Sequence, residues 1–406
     1  MLVINKELLH YTIYKTLNLD QECTIFMNQT TKISRLSNDN SSINVQWEDG
    51  QISNFNYLWL RDNCPCDIDV HPTARERRFN LIDVSENIKP KSYKINIDGK
   101  LEIKWDEGDH ISSFDQKWLR NHCYTINNNK EYCSPYKLWD NSLDLSKVTI
   151  DCSEIMDSEE GLINWLEILN QFGIAIVKNA PTENNSGLKV INKISHVRET
   201  FFGTPFEVID IPNPNNSAYT AGKLHNHTDL PYYEYAPGYQ FLHCLINEVD
   251  GGMSSIVDGF KVSDFLRNNN PEVFDTLVNT YVKFKNNDFT QETIRFFHAP
   301  LITLNKDKDY NDIRFSVSTM GIIDCGPKDV EKFYKAYRKF AGLLHSEDYS
   351  VKFRLNKGDI FSFNNRRTVH GRTKYNPNSG HRHLQGYYLD RDEILGKLNY
   401  LKKIEL

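Results

Sequence analysis

The chain is most easily placed by what it lacks. It has no run of about 18 or more apolar residues, so no membrane-spanning helix is expected. It has no basic excess: 48 Lys and Arg stand against 54 Asp and Glu, a formal net charge of −6. That balance gives no basic face and argues against nucleic acid as a partner. Cysteine is sparse, with 8 in 406 residues, and is spread along the chain. Reduced thiols or metal ligands are therefore expected, not a disulfide framework. The first 19 residues lack the charged-then-apolar order of a secretory signal and the Arg and Ser bias of an organellar presequence, so a cytoplasmic location is expected. No internal repeat or long low-complexity tract stands out.

What is present is ordinary for a soluble globular chain: 39% hydrophobic and 25% charged residues, enough for more than one domain. Ile43-Asn44-Val45-Gln46-Trp47 alternates like a strand and runs into Glu48-Asp49-Gly50. A second such unit is Lys94 to Ile97, the turn Asp98-Gly99, and Leu101 to Trp105. Asp-Gly between alternating runs is a hairpin signal, because glycine takes the positive φ a tight turn needs. These features predict a small β-rich N-terminal domain over residues 1–135, with Ser134 to Thr149 as a linker, and a second domain over 136–406. In the second domain, helices are predicted at Ser158 to Phe172, Lys189 to Phe201, Pro271 to Thr280 and Asp329 to Leu344, with Gly173 to Val177 a buried strand. Short strands recur from Ser217 onward. The class is mainly β with flanking helices, α+β.

The chemistry centres on Leu224-His225-Asn226-His227-Thr228-Asp229-Leu230-Pro231. On an extended strand, positions i and i+2 point to one side, so His227 and Asp229 would converge. With a third histidine from elsewhere they would form a two-His-one-carboxylate triad, which leaves one face of Fe(II) open. The third is His370, in Asp359 to Arg372, whose early apolar alternation suggests a strand. Shortly after it comes Arg382, a planar guanidinium suited to clamping a carboxylate in bidentate fashion. With 13 histidines in the chain, one His-x-Asp pair could arise by chance; the added His370 and Arg382 give the pattern its weight. Separately, Cys64-Pro65-Cys66 is too tight for an ordinary disulfide and reads as metal chelation, the alternative being a pair of buried thiols.

His227 to Pro231, Pro237 to Cys244, Val257 to Phe260, Asn365 to Gly371 and Arg382 to Asp392 together resemble the γ-butyrobetaine and trimethyllysine dioxygenase family. The likeness runs from about Asn54 nearly to the C-terminus, with the motifs in order. It implies a double-stranded β-helix, or jelly-roll, catalytic core behind an N-terminal zinc-binding domain. It implies Fe(II) on His227, Asp229 and His370, and 2-oxoglutarate held by Arg382 and more weakly by Ser254, with ascorbate as reductant. The implied activity is hydroxylation of γ-butyrobetaine to L-carnitine, releasing succinate and CO2. Trimethyllysine or another trimethylammonium acid is the alternative substrate, and a non-catalytic binding protein on the same scaffold is the alternative of a different class. By position, Phe202, Phe206, Tyr219 and Tyr388 match an aromatic cage for the cation, although each alone reads as core. Asn216 matches a residue that holds the substrate carboxylate; where a second asparagine is expected, Ser318 stands nearby. The structural Zn(II) would take Cys64, Cys66 and His110, with Asp69 in place of a third cysteine or His71 substituting for it. A homodimer is also implied. Asp258 reads as a turn or supporting carboxylate, and His225, His243, His381 and His383 as structural.

Overall fold

The computed structural model describes residues 32–125, 136–209, 220–289 and 291–403. The chain divides into two compact units, Met1–Cys133 and Ser134–Leu406. In the N-terminal unit the strands Ile33–Asn38, Ser42–Trp47 and Ile52–Asn56 form one antiparallel sheet. Pro90–Ile95, Leu101–Trp105 and Ile111–Phe114 form another. Both expected hairpins are present, with Gly50 and Gly99 at positive φ.

The two sheets reveal a repeat that sequence reasoning missed. Trp47-Glu48-Asp49-Gly50 matches Trp105-Asp106-Glu107-Gly108, and Trp59-Leu60-Arg61 matches Trp118-Leu119-Arg120. Trp47 and Trp105 are fully buried, and each donates its indole N–H to a serine: Ser53 at 2.7 Å and Ser112 at 2.9 Å. A buried indole needs both apolar cover and a partner for its N–H, and each sheet supplies both. Each is followed by a short helix, Tyr57–Asp62 or Gln116–Asn121, capped by the side chain of Asn56 or Asp115.

Among the described residues, the second unit is built on two main sheets, beside three minor ones. The larger runs in the order Thr149–Asp151, Ile174–Lys178, Ile360–Asn364, Tyr239–Asn247, Arg382–Leu389, Phe206–Val208. The smaller runs Leu224–His227, Thr368–Arg372, Ser254–Asp258, Ser350–Phe353. Ile256, Val351 and Phe353 of the small sheet pack with Ile176, Cys244, Phe361 and Leu384 of the large one in a shared core. The Glu159–Phe172 helix buries Trp165, Leu166 and Leu169 against Ala175, Val177 and Phe241. Its end is set by Gly173 at φ 73, a left-handed cap that glycine adopts readily. The helices Gly259–Asn269, Pro271–Asn279 and Val330–Leu344 share a third cluster with Val257 and Val369.

Three local expectations change. The helix predicted over Lys189 to Phe201 lies earlier, at Ser186–Ile191. Beyond it the chain is irregular and joins the large sheet's rim, Arg198 N–H donating to the Tyr388 carbonyl at 2.7 Å. Ile194 and Val197 still pack on the core there, which is why their spacing mimics a helix. The described part of the predicted linker is packed: Trp139 is buried and its indole donates to the Phe172 carbonyl at 2.7 Å. Asp359 to Arg372 is two strands joined by a turn, and His370 sits in the second.

Asp258 has a definite structural role. Arg367, fully buried, donates to both its oxygens at 3.0 and 2.7 Å and to the carbonyls of Gln171 and Lys137. Asp258 also caps the Gly259–Asn269 helix through the Phe260 N–H. Removing one partner of such a pair leaves an uncompensated buried charge. Arg367→Ala is therefore expected to lose about 3–5 kcal/mol in urea unfolding. A loss under about 1 kcal/mol would show that the pair is not a structural anchor.

Candidate active site

The Leu224–His227 strand pairs with Thr368–Arg372 at two points, Leu224 with Arg372 and His227 with His370. The pairing sets two imidazoles side by side, ring centroids 4.4 Å apart. Gly371 permits this close approach, since a Cβ there would come within 2.6 Å of Asn226 Oδ1 and 2.7 Å of the Leu224 carbonyl. Asp229 is not on the strand, which ends at His227; it lies in the bend that follows. Leu230, next along, has φ 56, a left-handed conformation rare for a residue with a side chain. A bend, and not strand alternation, thus brings the carboxylate round. Asp229 Oδ1 lies 3.1 Å from His227 Nε2 and 3.8 Å from His370 Nε2. One donor atom from each of the three residues lies within 4.8 Å of the others.

Each ligand candidate is oriented by a neighbour. His227 Nδ1 donates to the His225 carbonyl at 2.8 Å, which leaves Nε2 as the free lone pair. The Tyr388 hydroxyl donates to Asp229 Oδ2 at 2.7 Å, leaving Oδ1 toward the histidines. The His370 ring packs on Phe363, centroids 4.5 Å apart. Burial disfavours the Asp229 charge, but His370, His227 and the tyrosine hydroxyl outweigh it and hold the carboxyl well below the usual range. Burial, then the neighbouring His227, pushes His370 down to about 3. Burial also opposes charge on His227, yet Asp229 outweighs it and raises that group. Ionised Asp229 and neutral His370 are the forms that metal ligation needs, and His227, raised by Asp229, would give up a proton when an ion binds.

One cavity is lined by all three, together with Arg382, Ser254, Phe202, Phe206, Ser318 and Tyr388. Among the described residues Arg382 has no ion pair, and its buried Nε has no hydrogen-bond partner there. Burial and nearby Arg372 push it down to about 10. A desolvated guanidinium with no anion of its own is matched to an incoming carboxylate. Phe206 stacks on Tyr388, centroids 4.9 Å and planes 23° apart, so the two share one wall. Phe206 lies over Gly386, where a Cβ would come within 2.0 Å of its ring. Phe202 is 6.1 Å from Phe206. Asn216 and Tyr219 lie outside the described residues. Two contributors were missed by sequence reasoning. Gln240 lines the cavity at 3% exposure with Oε1 unpartnered; its alternation with Tyr239 and Phe241 on a strand was the available signal. Asn365 grips the Asp229 backbone and had no local signal beyond its motif.

Among the flanking histidines, His383 pairs with Glu207 and His225 packs against His345. His243 is fully buried and pushed down to about 4 by that burial.

A second cluster lies in the N-terminal unit. Cys64, Cys66, Asp69 and His110 each place a donor atom within 4.8 Å of the others. His110 Nε2 is 3.3 Å from Cys64 Sγ, 3.8 Å from Cys66 Sγ and 3.1 Å from Asp69 Oδ2. These spacings suit a tetrahedron with bonds of about 2.0–2.3 Å, whose edges are roughly 3.3–3.8 Å. His71 is turned into its own loop, its Nδ1 accepting from the Ala74 N–H at 3.1 Å, so Asp69 is the fourth member. Asp69 also pairs with buried Arg61 at 2.6 Å. Burial pushes the Cys64 thiol up to about 12; a bound cation would reverse that.

Three metal-capable side chains beside a guanidinium in one cavity suit a non-haem metal centre with an acidic co-substrate. Residues 136–388 match the taurine catabolism dioxygenase TauD, TfdA family, and residues 34–120 match the γ-butyrobetaine hydroxylase-like N-terminal family. The chain is 36% identical over 366 residues to a γ-butyrobetaine dioxygenase of Pseudomonas sp. (strain AK-1), covering 89% of this chain and 94% of that one. To the Homo sapiens γ-butyrobetaine dioxygenase it is 32% identical, covering 88% and 94%. To a trimethyllysine dioxygenase of Meyerozyma guilliermondii it is 26% identical, covering 91% and 96%. The chain belongs to the TauD, TfdA dioxygenase family, and within it to the γ-butyrobetaine and trimethyllysine dioxygenases.

Tyr388→Phe keeps the aromatic wall and removes one hydrogen bond to Asp229. Loss of such a supporting bond typically costs 10–100-fold, so Fe(II) affinity measured by anaerobic titration is expected to fall by about that factor. Unchanged affinity would mean that the hydroxyl does not orient the carboxylate.

Proposed function

We propose that the chain hydroxylates γ-butyrobetaine to L-carnitine, using Fe(II) and 2-oxoglutarate and releasing succinate and CO2. The observation that carries this reading is one cavity containing His227, Asp229 and His370 beside an arginine with no anion among the described residues. Bound iron and 2-oxoglutarate would supply the oxidising chemistry, spending dioxygen on the acid and the substrate together, with ascorbate keeping the metal reduced. His227, Asp229 and His370 would hold the iron from one side and leave the other to ligands. Arg382 would pin the far carboxylate of 2-oxoglutarate, with Ser254 beside it. Phe202, Phe206 and Tyr388, with Tyr219, would form a wall for a quaternary ammonium, which donates no hydrogen bonds and is drawn to aromatic faces. Asn216 and Ser318 would meet the substrate's acidic end. Buried apolar walls keep water out and fix the substrate's approach.

The higher identity to γ-butyrobetaine dioxygenases, 36% and 32% against 26% and 28% for trimethyllysine dioxygenases, supports the first substrate over the second. The two packed sheets of the second unit fit the jelly-roll reading. Cys64, Cys66, Asp69 and His110 would hold a structural Zn(II) in residues 1–135, with Arg61 offsetting the charge of Asp69. A cytoplasmic homodimer is the setting the resemblance implies.

Two experiments test this. Succinate release with Fe(II) and 2-oxoglutarate is expected to be fastest with γ-butyrobetaine among a panel of betaines and trimethyllysine, and to vanish in His227→Ala. Faster turnover of trimethyllysine would reverse the ranking. Purified protein is expected to contain one equivalent of zinc per chain, lost in Cys64→Ser together with thermal stability. Wild-type protein free of zinc and equally stable would remove the metal from the N-terminal unit.

A further inference from the structure

We propose that Asn365 is a positioning residue for the metal centre: its side-chain amide fixes the peptide groups of Asp229 and thereby the direction of the carboxylate. This rests on the metal-centre reading above.

The reason lies in where the sheet stops. The ladder between the two histidine strands ends at the pair of His227 with His370. Asp229 lies beyond it, in a bend, with no strand partner for its N–H or carbonyl. A part-buried backbone there needs partners. Asn365 supplies both. Its Oδ1 accepts the Asp229 N–H at 2.7 Å, and its Nδ2 donates to the Asp229 carbonyl at 3.0 Å. The same Nδ2 donates to the Pro237 carbonyl at 3.1 Å, and the Asn365 main-chain N–H donates to the Gly238 carbonyl at 2.9 Å. The side chain is 1% exposed.

A primary amide holds an acceptor and two donors in one plane. Two bonds to the two ends of one residue fix both its position and its rotation. That sets the Cα–Cβ direction of Asp229, and the Tyr388 hydroxyl then selects which oxygen turns toward the histidines. Leu230 at φ 56 keeps the chain in the same bend. Asn365 also belongs to the turn that leads from Ile360–Asn364 into the His370 strand. One turn therefore delivers His370 and aligns Asp229 with it.

The test is binding of Mn(II) alone to metal-stripped full-length protein, read from the electron paramagnetic resonance of free Mn(II). This ion prefers the nitrogen and oxygen donors of this centre over thiolates. Variants are Asn365→Ala, the isosteric Asn365→Asp, and Leu277→Ala, which opens a cavity in the buried face of the Pro271–Asn279 helix as a stability control. Each is compared where circular dichroism shows it folded. Asn365→Ala is expected to weaken Mn(II) binding at least about tenfold. Asn365→Asp keeps the acceptor, loses both donated bonds and is expected to fall between Ala and wild type. Leu277→Ala should melt earlier with Mn(II) affinity unchanged. Wild-type affinity in a folded Asn365 variant, or an equal loss in Leu277→Ala, overturns the proposal. Wild-type protein that binds no Mn(II), or binds it undiminished in His227→Ala, overturns the metal centre itself, a different failure.

Discussion

The structure turns on keeping one half-buried carboxylate ionised. Asp229 sits where burial alone would favour its neutral form, yet ligation needs the anion. Its charge is held by two imidazoles and a tyrosine hydroxyl, each from a different segment of the second unit. The pairing of the two histidine strands, the slot at Gly371 and the bend at Leu230 all serve to bring those groups within reach. Each is a backbone constraint set by neighbouring residues.

Two arginines of the same unit, one fully buried and one half-buried, show how function departs from stability. Arg367 is saturated: a carboxylate on one side, backbone carbonyls on the other, aromatic rings of Tyr136 and Phe260 across its faces. It ties the helices to the small sheet and has nothing left to offer a ligand. Arg382 lines the cavity and lies against Tyr375, with no anion among the described residues. A guanidinium kept desolvated and unpaired is costly to the folded state unless something arrives to meet it. That contrast, more than the presence of an arginine near a histidine, supports the proposal that Arg382 anchors an acid.

Much of this was legible in the sequence because it depended on residue type at short range. Asp49-Gly50 and Asp98-Gly99 announce their hairpins through the φ they require, and the long amphipathic helices follow from spacing. His227, Asp229, His370 and Arg382 are chemically distinctive and keep their order along the chain. What was hidden depended on contacts between distant segments. Strand alternation put His227 and Asp229 side by side, as the structure does, but for the wrong reason: Asp229 lies in a bend past the strand, its backbone bonded to Asn365, more than 130 positions away. Apolar spacing at Ile194 and Val197 imitated a helix because an irregular segment also packs on the core. The duplicated tryptophan-acid-acid-glycine pattern of the N-terminal unit was visible in the letters, but its meaning comes only from the serine that each buried tryptophan, Trp47 or Trp105, finds. Asp69 over His71 could not be decided from spacing, since it rests on which way one loop turns.

The most direct measurement is anomalous diffraction at the iron edge from crystals grown anaerobically with Fe(II) and 2-oxoglutarate. The expected result is a single peak bonded to His227 Nε2, Asp229 Oδ1 and His370 Nε2, with the far carboxylate of 2-oxoglutarate on the Arg382 guanidinium. A peak elsewhere, or an acid bound with Arg382 left unpaired, would contradict the account.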